Sequence, residues 1–213
     1  MATPRRAGRL MVVLSAIVLV GAACTSTQQT SDTTDAPPSG SEISIPNEGG
    51  ENEGHTPIGF PGMGTGLFAG DNLNSRFPEG DGVQMFLTFP LPETSNTASA
   101  TLSSDVLKTR GTPFDDLGVL VAERVEYDEF GPHLFALASS GDASPCAIIG
   151  GTAVTCDVTG AVQSAADEGA SSIQFRLRFE RIADNDGQAD LAMFYRSDSN
   201  TNEPGLFTLV ISG

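Results

Sequence analysis

The chain has 213 residues, with 27 acidic against 11 basic side chains and a formal net charge of −16. Such an excess of negative charge repels nucleic acid and anionic lipid head groups, which argues against both as direct partners. With no Trp and only two Tyr, a binding site built on stacked aromatic rings has little material to draw on.

Residues 1–23 carry the three parts of an export signal. Arg5, Arg6 and Arg9 make a positive start, Leu10 to Val20 are almost wholly apolar, and Gly21-Ala22-Ala23 are small. The apolar stretch falls short of the ~20 residues needed to span a bilayer, so a cleaved signal is expected. Cys24 follows directly. The segment "VGAAC" resembles the lipobox of bacterial lipoproteins, in which the cysteine is acylated and becomes the first mature residue. The resemblance implies an exported protein held at a membrane or outer envelope through Cys24, facing away from the cytoplasm. Acyl burial contributes about 0.8 kcal/mol per methylene, so several chains on one cysteine anchor firmly. The alternative is an ordinary signal with an incidental cysteine. Loss of the three arginines leaves eight basic against 27 acidic residues, a net charge of −19.

Residues 24–66 read as a disordered acidic tether. From Thr25 to Gly66 there is no Lys or Arg, and Ser, Thr, Gly, Pro, Asn and acids dominate. Such a segment buries too little apolar surface to offset its ordering entropy. As a coil it would reach roughly 35–40 Å. "GFPGMGTG" lacks the Lys-Ser/Thr ending and the following helix of a phosphate-binding loop, and His55 reads as a solvated linker histidine.

Residues 67–213 are one domain's worth of chain. Short β-type segments recur between turn-forming clusters: "VQMFLTF", "TASATLSS", "LGVLVAERVEY", "HLFALA", "SSIQFRLRFE", "ADLAMFYR" and "GLFTLVIS". In "IQFRLRFE", Ile173, Phe175, Leu177 and Phe179 share one face, and Gln174, Arg176, Arg178 and Glu180 the other. Only "DVTGAVQSAADEG" has a helical pattern, with Thr159 as its cap, Val162 and Ala166 on its apolar face and Gly169 at its end. Cys146 and Cys156 flank "AIIGGTAVT", which reads as a β-hairpin. A two-residue Gly-Gly turn sets Cys146 opposite Thr155; a three-residue loop over Gly150 to Thr152 sets it opposite Cys156. The latter allows a disulfide, suited to an exported protein. A two-thiol metal site is the poorer alternative, because His133 is the only histidine left in the module. Many strands with one short helix predict an all-β fold, an antiparallel β-sandwich.

"ASATLSSDVL", "CDVTGAVQSAADEGASSIQFRLRFE" and the closing "GLFTLVISG" resemble bacterial secreted β-sandwich modules, the DNRLRE-type domains and carbohydrate-binding jelly rolls. The likeness covers roughly 84–211 and rests on Thr101-Leu102, Asp157 to Gln163 and Phe175 to Arg178. It implies a jelly-roll-like fold more than any activity, since one fold hosts many functions.

Two candidate sites stand beside plainer structural readings. In "ADNDGQAD", Asp184, Asp186 and Asp190 around Gly187 have the closely spaced carboxylates of a calcium loop. The competing reading is a polar turn built on Asn185-Asp186-Gly187. Tyr195 beside Arg196 is the candidate platform for a sugar, against the reading of Tyr195 as a core residue at a strand end. No catalytic residues are expected: His133 has no nucleophile motif near it, and with 27 acids a carboxylate pair carries no information. The expected function is non-catalytic binding of an extracellular or envelope glycan, with no cofactor required and calcium as the one cation to test. The alternative is a structural or protein-interaction module of the cell envelope.

Overall fold

The computed structural model describes residues 42–47, 49–54, 67–71, 82–93, 97–196 and 205–213. Residues 1–23, Cys24 and His55 lie outside them.

Among the described residues twelve strands run in chain order: β1 (Glu42–Pro46), β2 (Gly49–Gly54), β3 (Leu67–Asp71), β4 (Gly82–Pro90), β5 (Ser99–Ser104), β6 (Leu107–Arg110), β7 (Leu120–Val125), β8 (Ser144–Ile149), β9 (Ala153–Asp157), β10 (Ser172–Phe179), β11 (Asp190–Phe194) and β12 (Thr208–Ser212). They pair in the order β1-β12-β5-β9-β8-β7-β10-β4-β3-β11-β6, with β2 also on β4. Every pairing is antiparallel. β8 turns the corner of the sandwich: Ser144 and Pro145 pair with β7, whereas Cys146 to Ile149 pair with β9. Among the described residues two α-helical segments and one 3₁₀ turn accompany the strands; the α-helical ones are the single turn α1 (Pro113–Asp116) and the longer α2 (Thr159–Asp167).

The core follows the period of two. Ile173, Phe175, Leu177 and Phe179 of β10 are all buried, beside Phe89, Phe194 and Phe207. Phe89 meets Phe175 edge-on at 6.2 Å, and Phe194 packs on Phe207 at 4.7 Å between centroids. Each such side chain contributes about 1.5–3 kcal/mol on burial.

The hairpin has the longer loop. Ile149 pairs with Ala153 across Gly150 to Thr152, Cys146 stands opposite Cys156, and the two are joined by a disulfide. Gly150 and Gly151 take φ of 59° and 75°, a region that glycine enters without a Cβ clash. Helix α2 ends as expected at Gly169, φ 73°, whose N–H donates to the Ala166 carbonyl. Its start differs. Val158 stands at the N-cap and Thr159 is the first helical residue. Thr159 instead ties the helix to β5, accepting the Ala100 N–H at 2.9 Å. The buried apolar pair is Val162 and Ala165 rather than Val162 and Ala166.

Three further differences have physical causes. The sheet takes in Glu42–Pro46 and Gly49–Gly54, within the span whose composition reads as tether. A five-residue alternation, Ile43 and Ile45 against Glu42 and Ser44, is enough to form a strand once β12 offers an edge. Asn47 secures this addition, its Oδ1 accepting the N–H groups of Gly205 and Phe207 at 2.9 and 3.0 Å. "HLFALA" does not form a strand; Pro132–Ala136 make a 3₁₀ turn. Pro132 has no N–H to give a ladder. The turn belongs to a segment that covers the outer face of β4, β7 and β10, where Leu134 is buried and Phe86 meets Tyr127 and Phe130 edge-on. Consequently the polar side of "IQFRLRFE" is partly roofed: Arg176 is buried and donates to the Leu137 carbonyl at 2.7 Å.

Candidate functional site

The outward face of β12, β5 and β9 is rich in hydroxyls. Leu102, Val154 and Leu209 are buried, so the alternating positions Ser103, Thr155 and Thr208 turn outward. Register places these three side by side, Thr208 opposite Ser103 and Ser103 opposite Thr155. They line a groove of about 470 Å³ together with Asp105, Ile149 and Arg196. Arg196 Nη2 donates to the Gly205 carbonyl at 3.0 Å, which holds the guanidinium at the groove. Ile149, 56% exposed, supplies an apolar surface. Hydroxyls, one carboxylate and one guanidinium around an open groove are the donors and acceptors that fix a polyhydroxylated ligand.

Of the two residues expected to bind sugar, Arg196 lines this groove. Tyr195 does not; it is half-buried just past β11, with the Lys108 ammonium 3.8 Å from its ring centroid. That cation–π contact occupies one face of the ring. Sequence reasoning missed Ser103, Thr155 and Thr208, because outward Ser and Thr are ordinary strand residues and only register aligns them.

The acidic loop divides. Asp186 serves the turn, accepting the Gln188 N–H at 2.6 Å and the Gln188 amide at 2.8 Å, while its own N–H donates to Asp184 Oδ1. Asn185 and Gly187 have positive φ, as that turn requires. Asp184 and Asp190 do converge, but their third member is Asp116 at the end of α1: carboxylate oxygens of the three lie within 4.8 Å of one another. Asp190 is buried and accepts the Thr112 N–H at 2.6 Å. Asp71, opposite Asp190 on β3, accepts the Asp184 N–H at 3.3 Å. Oxygen donors of this kind suit a hard cation, which takes 6–8 of them.

A smaller cleft of about 320 Å³ lies between α2 and residues 140–144, with Arg124 on its wall. Its guanidinium is already engaged by Glu168 and Glu126. The hydrogen bond from Arg124 holds the Glu168 carboxyl below the usual glutamate range. His133 is exposed on the 3₁₀ turn.

No protein-family model matches the chain, and no curated protein matches it.

Proposed function

We propose that the chain is an exported lipoprotein, anchored through acylated Cys24, whose β-sandwich binds an extracellular or envelope glycan without catalysis. The observation that carries the binding reading is the in-register row Thr208, Ser103 and Thr155 beside Arg196 in an open groove. Export is supported by "VGAAC" at the end of an apolar run and by the Cys146–Cys156 disulfide, which suits an oxidising compartment. Binding of this kind requires no cofactor. Calcium at Asp116, Asp184 and Asp190 would steady the adjoining turns rather than touch the glycan, since none of the three lines the groove.

The test is a glycan array probed with the full chain in detergent, beside an Arg196→Ala and Ser103→Ala double variant. Binding that the double variant loses supports the reading; a folded chain that binds no glycan removes it. Fatty-acid labelling tests the anchor separately, with label expected on the wild type and none on Cys24→Ser.

A protein partner is the second reading, and β1 favours it. Among the described residues β1 pairs only with β12, which leaves one edge for strand addition. Cross-linking to an envelope protein through β1, with a silent glycan array, would select it.

A further inference from the structure

We infer that the sugar this groove takes carries an acetamido group; the inference rests on the glycan reading above and narrows it to one substituent.

It comes from the order of the lining residues. Thr208, Ser103 and Thr155 stand opposite one another across β12, β5 and β9. Adjacent strands lie about 4.8 Å apart, so the three hydroxyls form one row across the sheet. A second row runs beside it, two residues further along the strands and so roughly 7 Å away. There Ala153 stands opposite Ile149. Asp105 directly follows the last pair of the β5–β9 ladder, Ser104 with Val154, which brings it to the Ala153 side. The Leu107 N–H donates to the Thr152 carbonyl at 2.9 Å and keeps this stretch against the hairpin. Asp105, Ala153 and Ile149 all line the groove.

The two rows differ in chemistry. The first offers hydroxyls alone, and the second a carboxylate followed by two apolar side chains. Val119, Ile149 and Ile182 are the large apolar side chains exposed among the described residues, and only Ile149 borders the groove. Among the described residues no donor engages the Asp105 carboxylate. The described lining holds no aromatic ring, so the flat face of a sugar has nothing to stack on. Apolar contact must then come from a substituent with its own methyl.

An unsubstituted hexose would set hydroxyls against Ala153 and Ile149, where they lose water without gaining a partner. An acetamido group satisfies both parts of the row. Its N–H donates to Asp105 in a charge-assisted bond, and its methyl lies on Ala153 and Ile149. Nitrogen and methyl are two bonds apart, within one strand spacing. A 6-deoxy sugar brings a methyl but no N–H for Asp105.

The experiment measures affinity of the full chain in detergent for matched oligosaccharides that differ only at C2, acetamido against hydroxyl, in the gluco and galacto series. A formamido version keeps the N–H and removes the methyl; a 6-deoxyhexose oligomer keeps a methyl and removes the N–H. In at least one series the acetamido probe is expected to bind roughly tenfold tighter than its hydroxyl partner, with the formamido probe between them. Ile149→Ser should bring the acetamido probe down to the formamido level, and Ile149→Val should preserve the preference. Asp105→Ala should weaken both amides. Both positions are exposed, so the variants should fold, which a melting curve checks. Equal affinity for acetamido and hydroxyl probes, tighter binding of the 6-deoxy probe, or a preference that every variant keeps overturns the acetamido assignment and leaves the glycan reading standing. A folded chain that binds none of these probes and nothing on the glycan array overturns both.

Discussion

Glu123 on β7 and Arg176 on β10 stand directly opposite each other with both side chains buried, Arg176 Nη2 lying 2.5 Å from Glu123 Oε2. Arg178 binds the other carboxylate oxygen at 2.7 Å, and the Leu137 carbonyl accepts a hydrogen bond from Arg176 Nη1. One carboxylate thus offsets two guanidinium groups beneath the segment that roofs this face. Glu123→Ala leaves Arg176 buried without its partner and is expected to cost about 3–5 kcal/mol, measured by urea unfolding.

The same carboxylate sets an acid limit. Burial pushes the Glu123 carboxyl up, but hydrogen bonds from Arg178 and Arg176 outweigh burial and hold it below the usual glutamate range. A depressed carboxyl stabilises the fold above its unfolded pKa, near pH 4, and loses that contribution as pH falls through the folded value. Melting temperature should therefore drop as pH falls below about 4. Glu123→Gln should lower stability at neutral pH and make the acid limb shallower.

The disulfide closes a short loop, its cysteines separated by 10 in sequence. Reduction, or Cys146→Ser with Cys156→Ser, is expected to lower stability by about 2–3 kcal/mol. Thermal melts with and without reductant check this, and the double variant should be insensitive to reductant.

Glycines here carry unequal constraints. A Cβ on Gly70, at φ 135°, would stand 2.0 Å from the Asp190 carbonyl oxygen, a backbone atom held by the β3–β11 ladder. A Cβ on Gly150, at φ 59°, meets nothing within 4 Å. Gly70→Ala is expected to cost ~3 kcal/mol or more through overlap and strain, and Gly150→Ala about 1 kcal/mol through strain alone. Parallel denaturation curves separate them, and equal losses would contradict the assignment.

Convergence of Asp116, Asp184 and Asp190 changes which residues a calcium experiment should probe. Millimolar calcium is expected to raise the melting temperature by mass action on the folded state. Asp184→Asn should abolish that rise, and Asp186→Asn should leave it, because the Asp186 carboxylate serves Gln188. A chelator-treated chain that melts identically with and without calcium removes calcium from the reading.

What the sequence alone determined was local. Alternation in "IQFRLRFE" predicts the buried face of β10, Gly169 marks the end of α2, and the count of residues between Cys146 and Cys156 narrows the hairpin to two loops, of which only the three-residue one allows the disulfide. These features depend on side-chain period and turn length, which neighbouring residues carry. Composition averaged over the tether concealed β1, and "HLFALA" had a strand's composition but a proline at its entry. Arg196, singled out by its charge beside an aromatic ring, does line the groove, whereas the hydroxyl row beside it was not legible. Only the tertiary structure decided that row, the burial of Arg176 and the replacement of Asp186 by Asp116, 68 residues before Asp184. Each depends on which strand or turn lies alongside another, and hydrogen-bond register between distant segments leaves no periodic trace in either one alone.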